Sequence, residues 1–368
     1  MTHQTEDLFI KDHPHLPPFP TDIPTAALLR ISLKKLLEND PVECDRLYQA
    51  CVEIGFFYLY LGDSNDGKIL LDKAETLFEI QKEFFDLSTE EKQKYDFSGM
   101  GSVLGWKGPG LALVDNKGNV DRNEGFSIGR DDVQGRGKHL PAPSVLSDNR
   151  EILGSFAQDA QQASLVILRV LNEKLELPAG TLESLHPHSG PCGDNIRFLK
   201  SPPQPVDDRR TSLGQHTDFG SVTVLFNRLG GLQILPPGAW GGDNSKWQYV
   251  RPLPDHCIIN LGDALVKFTN GLLRSNIHRV TAPPGAQGDL TRYSLVYFSK
   301  PRDEVSLKRL DGSSLIPPLA EGQVEEDISI EDWVRRRMLG PRVDLSKGKE
   351  IDLEKISGTE KLSQRIQA

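Results

Sequence analysis

Gly214-Gln215-His216-Thr217-Asp218-Phe219-Gly220-Ser221-Val222-Thr223-Val224-Leu225-Phe226-Asn227 joins two signals in one stretch. Its first half sets a histidine and an aspartate two positions apart between flanking glycines. Its second half is a short apolar run rich in β-branched and aromatic residues, which reads as a buried strand over Ser221 to Asn227. Similar runs recur from Asn195 onward, at Asn195 to Lys200, Gly231 to Pro236, Trp247 to Arg251, His256 to Leu261, Ala264 to Thr269, Asn276 to Thr281 and Arg292 to Ser299. Short strands at this spacing, broken by Gly/Pro turns, predict an antiparallel sandwich, of which the jelly roll is one form.

Upstream the pattern is helical. Helices are expected over about Val42 to Glu53, Lys68 to Phe85 and Ser144 to Leu175, with Ile54 to Tyr60 as a buried strand between the first two. Ser88-Thr89-Glu90-Glu91 has the capping-box form and would start a short helix. Ser98 to Gly110 is glycine-rich and reads as irregular, and it lacks the G-K-[ST] ending of a phosphate loop. Helices first and strands later define an α+β chain. The expected divisions are a proline-rich extended arm over 1–23, a helical region with a few strands over 24–190, a strand-rich core over 191–345 and a charged tail over 346–368. A last helix is expected over about Ile328 to Leu339.

The chain has 368 residues and a formal net charge of −9, with no basic block, so nucleic acid and anionic membrane are poor partners. No apolar run approaches the ~20 residues that span a bilayer. Cys44, Cys51, Cys192 and Cys257 show no CxxC spacing and read as buried thiols in a reducing compartment. The first ten residues are polar and acidic, unlike a signal peptide. Together these point to a cytoplasmic protein.

His216 and Asp218 stand at the end of an expected strand, where side chains two apart share a face. His278 lies in a later strand, so it could add a third direction. Two imidazoles and one carboxylate can hold one face of a non-haem iron(II) and leave the other open. The triplet alone fits a hydrogen-bonded pair in a turn or helix N-cap equally well, and His278 alone fits a satisfied core histidine. The remaining histidines have less context: His3, His13 and His15 lie in the arm, His139 in a loop, His186 and His188 in a polar turn, and His256 before a strand. Arg292 and Ser294 share one face of the last strand, with Tyr293 on the other. A guanidinium fork beside a hydroxyl suits a carboxylate held at two points, though an arginine on an exposed edge strand would look the same.

In these residues the chain resembles the isopenicillin N synthase-like group of iron(II)- and 2-oxoglutarate-dependent dioxygenases, especially its fungal members. The resemblance covers roughly residues 20 to 340. It is carried by Ala50 to Leu59 (A-C-V-E-I-G-F-F-Y-L), Phe84 to Lys92 (F-F-D-L-S-T-E-E-K), Gly214 to Gly220, Gly230 to Ile234, Asn260 to Asp263, Asn276 to Val280 and Arg292 to Phe298. It implies a double-stranded β-helix (jelly-roll) core with the helical region packed on it. It also implies iron(II) on His216, Asp218 and His278, and 2-oxoglutarate chelating that iron with its far carboxylate on Arg292 and Ser294. Dioxygen would be the second cosubstrate. Many relatives keep a cosubstrate-binding tyrosine where this chain has Ser201, and Lys200 adds a charge expected near the same mouth.

The activity so implied is hydroxylation, desaturation or cyclisation of a small organic substrate, with release of succinate and CO2, in fungal secondary metabolism. Alternatives are an oxidase of the isopenicillin N synthase kind, which turns the clamp on the substrate's own carboxylate, and a non-catalytic binding protein on the same fold. Trp106, Phe126, Phe198, Phe219 and Phe298 are candidate pocket walls, each of which also reads as plain core. Together they suit an apolar or aromatic scaffold better than a highly charged metabolite.

Overall fold

The computed structural model describes residues 12–339, apart from 112–113, 115–117, 138 and 240–242, together with Thr359. Residues 1–11 of the expected arm, and the tail apart from Thr359, lie outside the described residues.

Alternation decides the layering. Along Val222–Asn227, the side chains of Val222, Val224 and Phe226 join a core shared with the helices, whereas Thr223 and Leu225 face the opposite way. Twelve strands use this alternation. They are β1 (Arg30–Ser32), β2 (Phe56–Tyr60), β3 (Gly105–Lys107), β4 (Glu124–Gly129), β5 (Asn195–Ser201), β6 (Thr211–His216), β7 (Val222–Asn227), β8 (Leu232–Ile234), β9 (Gln248–Tyr249), β10 (His256–Leu261), β11 (His278–Thr281) and β12 (Arg292–Ser299). They form an eight-stranded sheet in the order β1-β2-β10-β7-β12-β5-β4-β3 and a four-stranded sheet in the order β6-β11-β8-β9. Apart from the parallel β1–β2 pair, the pairings are antiparallel. The result is a double-stranded β-helix, α+β in class, with the helical region packed on the larger sheet.

Helix Arg150–Lys174 supports that sheet from behind. Phe156, Ala160, Ile167, Val170 and Leu171 are fully buried at helical spacing, and the helix contacts β5, β7 and β12. Helices Pro41–Glu53 and Asn65–Phe85 pack on it in turn. Helix Thr89–Gln93 begins as its sequence predicts, with Ser88 Oγ accepting from the Glu91 amide. A second cluster, including Phe56, Tyr58, Leu232, Ile234, Ile258 and Val296, fills the space between the two sheets and reaches the site, with Phe56 edge-on to His278. All four cysteines are free, and three of them are buried. Among the described residues, no helix is long and apolar enough to cross a membrane.

Three expectations are corrected. The expected strand at Ala264 to Thr269 is the helix Asp263–Phe268. Its apolar residues are buried all round, so neither a helical nor a strand face shows in the sequence. Thr211–His216 takes the missing strand's place. The stretch expected to be irregular contains β3, paired with β4 at the sheet edge. Helix Ser144 to Leu175 is two helices, Ser144–Ser147 and Arg150–Lys174.

Candidate active site

His216 closes β6 and His278 opens β11, and the two are directly paired across the smaller sheet. Their rings lie 4.2 Å apart, centre to centre. The two imidazoles are oriented alike. His216 Nδ1 is 2.8 Å from the Gly214 carbonyl and His278 Nδ1 is 3.1 Å from the Asn276 carbonyl. A carbonyl can only accept, so each Nδ1 carries the proton and each Nε2 offers a lone pair. Asp218 stands in the turn beyond β6. Its Oδ1 is 3.8 Å from His216 Nε2 and 3.7 Å from His278 Nε2. Its Oδ2 accepts from Thr223 Oγ1 at 2.6 Å and Asn260 Nδ2 at 2.7 Å. The three ligand atoms all lie within 4.8 Å of one another, a donor set suited to one divalent ion.

The misread helix holds this turn. Helix Asp263–Phe268 aims its first amides at it, Asp263 N donating to the Asp218 carbonyl at 2.8 Å and Ala264 N to the Gly220 carbonyl at 3.1 Å. Gly262 permits the approach, since a β-carbon there would stand 2.2 Å from the Gly220 oxygen. Behind the turn, the buried Asp263 accepts from Thr217 Oγ1 and Thr359 Oγ1 and lies 3.8 Å from the Arg337 guanidinium.

The electrostatics favour the ligating forms of His216 and Asp218. Burial, and then the neighbouring His278, push His216 down to about 4, so it is neutral at physiological pH. Burial alone would raise Asp218. The flanking histidines and the bonds from Asn260 and Thr223 outweigh it and keep the carboxyl below its ordinary range.

Arg292 and Ser294 point into the same cavity from β12. Arg292 is 3% exposed, donates from Nε to the Gly230 carbonyl at 2.8 Å and touches Ser294 Oγ through Nη1. Gly231, at φ +106°, lets that backbone come close. No carboxylate pairs with Arg292 among the described residues, and burial pushes its pKa down to about 10. A guanidinium so placed calls for an anionic ligand.

The cavity encloses about 680 Å³ between the sheets and extends beneath helix Ile330–Leu339, which contributes Val334, Arg337 and Met338. Phe219 and Phe298 line it, and so does Trp106, whose indole Nε1 donates to Glu124. Phe126 and Phe198 do not. They have the opposite strand parity from Ser127, Arg197 and Leu199, and their rings lie in the helix-side core, Phe126 edge-on to Phe84. Ser201 is paired with Arg292 and buried, but its side chain is not part of the cavity wall. Lys200 also turns to the helix side, 3.7 Å from Glu124. The cation that enters the cavity from β5 is Arg197, whose even spacing from Ser201 could have revealed it. Thr223 and Asn260 were likewise missed, although each sits at a cavity-facing position of its strand. His186, expected in a polar turn, is buried, with Nε2 2.7 Å from Ser221 Oγ.

A double-stranded β-helix whose open end presents two histidines, a carboxylate and an unpaired arginine is the frame of a non-haem iron oxygenase. Residues 192–301 match the 2OG-Fe(II) oxygenase superfamily, and residues 23–149 match the family described as non-haem dioxygenase in morphine synthesis N-terminal. A 2-oxoglutarate-dependent dioxygenase of Aspergillus fumigatus is 32% identical over 326 residues, covering 84% of each chain. Another from Glarea lozoyensis is 32% identical over 287 residues, covering 78% of this chain and 83% of its own. A full-length Neurospora crassa protein, solved in complex with alpha-KG, shares the fold at a TM-score of 0.70 and 22% identity, over 85% of this chain and 95% of that one. The chain belongs to the 2-oxoglutarate- and iron(II)-dependent oxygenase superfamily, consistent with its isopenicillin N synthase-like group. It is an enzyme, its metal is iron(II), and its cosubstrates are 2-oxoglutarate and dioxygen.

Proposed function

We propose that His216, Asp218 and His278 bind the iron, that Arg292 and Ser294 hold the far carboxylate of 2-oxoglutarate, and that the enzyme hydroxylates, desaturates or cyclises a small organic molecule of fungal secondary metabolism. The observation that carries this reading is the orientation of the three ligands. Each Nδ1 and Asp218 Oδ2 already have protein partners, so the atoms left over, two Nε2 and one Oδ1, face one point. The bound metal and cosubstrate supply the oxidising chemistry, with succinate and CO2 as products. The protein's share is placement. Thr223 and Asn260 fix the carboxylate, Arg292 and Ser294 receive a charge at a set distance from the metal, and Phe219, Val334 and Met338 shield the site from water. No general base is required, and among the described residues the cavity wall has no carboxylate or imidazole beyond the metal ligands and the exposed Asp96.

The test is an anaerobic titration with iron(II) and 2-oxoglutarate. The chelate gives a weak visible charge-transfer band, expected in the wild type and absent in His216→Ala and Asp218→Ala. Both variants should also lose 2-oxoglutarate-dependent succinate formation. Full turnover in either would remove these residues from the metal site.

A further inference from the structure

Arg197 is a partly buried cation that is neither a metal ligand nor part of the Arg292–Ser294 clamp. It lies in the middle of β5, on the face that lines the cavity. Its Nε donates to Ser127 Oγ at 2.8 Å, and its guanidinium carbon stands 5.1 Å from the centre of the Phe298 ring. Among the described residues it has no ion pair and no other hydrogen bond, so its terminal nitrogens face the cavity without a protein partner. Lys300 also stands by this ring, its Nζ 5.9 Å from the centre, while bonding the Gly193 carbonyl.

The acidic side chains in the wall do not answer this charge. Asp218 is committed to the metal cluster, and Asp96 is exposed to solvent. Asp194, which could have neutralised the pair, lies behind the sheet and is taken by Arg130 and Tyr297. Burial lowers the pKa of Arg197, opposed only by the field of Asp218. A partly buried guanidinium backed by one phenylalanine ring, with its terminal nitrogens toward the cavity, is suited to an anionic group.

Strand register places that anion. Ser127, Arg197, Val296 and Leu225 form one row across the larger sheet. The next row holds Asn195, Phe298, Thr223 and Asn260, two of which fix Asp218. The row on the other side holds Leu199 and Ser294. Rows on one face are about 7 Å apart. Arg197 is therefore between the metal end and the cosubstrate end of the cavity, but displaced one strand sideways, toward β4. It is close enough to anchor a substrate whose oxidised carbon reaches the metal, and distinct from the arginine that receives 2-oxoglutarate.

We propose that the substrate of this enzyme is a small organic acid, and that Arg197, with Lys300 reinforcing the positive field beside Phe298, is the residue that selects its acidic group. This rests on the oxygenase reading of the same site. It narrows the substrate from an apolar scaffold to an amphiphile, whose apolar part meets Leu104, Leu111, Leu199 and Phe219.

The test uses two probes that differ by one acidic group, 1-anilinonaphthalene-8-sulfonate and its uncharged parent N-phenyl-1-naphthylamine. Each is titrated by fluorescence into the full chain loaded anaerobically with iron(II) and 2-oxoglutarate. The wild type should prefer the sulfonate. Arg197→Met should weaken the sulfonate by at least about tenfold and the neutral probe by less than about twofold, and Arg197→Lys should recover most of the preference. The proposal is overturned if the wild type does not bind the sulfonate, if it binds both probes alike, or if Arg197→Met keeps the preference. It is also overturned if Arg197→Met weakens 2-oxoglutarate binding in parallel, because Arg197 would then belong to the cosubstrate. The charge-transfer band separates this failure from failure of the underlying reading. A band present in both proteins with no preference sinks only the substrate class, whereas a missing wild-type band sinks the oxygenase site itself.

Discussion

At the scale of single residues, Thr223 and Asn260 show how the chain prepares a ligand before any metal arrives. Both bond Asp218 Oδ2, which turns Oδ1 toward the two imidazoles. Such partners fix a ligand's rotamer, and losing one typically costs 10–100-fold in metal affinity. Thr223→Val keeps the shape and removes the donor, and Asn260→Ala removes the other. Each should weaken cobalt(II) binding, followed by its visible spectrum, by about tenfold or more while thermal stability changes little. Affinity within about twofold of wild type in both would show that the turn and helix Asp263–Phe268 hold Asp218 unaided. The ligand triad could be read in the sequence because histidines are few and the His-x-Asp spacing is short. The supporting pair could not, because a threonine and an asparagine inside apolar strands look like any other strand residue until register puts them together.

At the scale of elements, β5 shows both the power and the limit of alternation. Its parity puts Asn195, Arg197 and Leu199 in the cavity and Ile196, Phe198 and Lys200 toward the helices. Phe126 and Phe198 were expected in the pocket because aromatic content was read without parity. Lys200 was expected near the cavity mouth from its position beside Ser201, again without parity. Asp194, just before β5, ties this strand to its surroundings. Its Oδ2 accepts from Tyr297 Oη at 2.7 Å and lies 3.2 Å from Arg130 Nη1, and its Oδ1 accepts from the Lys300 amide at 2.6 Å. Asp194 and Arg130 are each 1% exposed. Removing one partner of a buried ion pair strands the other charge, at about 3–5 kcal/mol. Asp194→Ala should lower unfolding stability by about that amount in urea titrations, and Asp194→Asn by less, since it keeps an acceptor for Tyr297. A loss below about 1 kcal/mol in the alanine variant would mean that water or a neighbour replaces the carboxylate.

At the scale of the whole molecule, helices before strands and the rhythm of short apolar runs were enough to give an α+β chain with an antiparallel sandwich, and the family resemblance added the double-stranded β-helix. What they could not give was which early segments join the larger sheet: β3 and β4 contain glycines and few β-branched residues, and their order in the sheet depends on contacts distant in sequence. One such distant contact makes a prediction about pH. His256, at the start of β10, accepts from Arg30 Nε of β1 at 3.1 Å through Nε2, and its Nδ1 is 2.6 Å from the Pro254 carbonyl. Only the neutral imidazole satisfies both. Burial, which outweighs the Pro254 bond and is helped by Arg30, pushes its pKa down to about 4. The unfolded chain binds this proton near pH 6.5, the folded chain only near 4, so stability rises with pH across that window and is lost as pH falls through it. After allowance for partial exposure, the loss is on the order of 2 kcal/mol. The metal site titrates in the same range through His216, so the measurement belongs on metal-free protein with chelator present, comparing wild type with His256→Gln. Glutamine can still accept from Arg30 and donate to Pro254 but takes up no proton. Urea midpoints recorded from pH 7 to 4 should fall less steeply in the variant, with the difference confined to the acid half of the range. Parallel curves would place the acid sensitivity elsewhere, with the buried His186, whose pKa is also lowered by burial, as the next residue to replace.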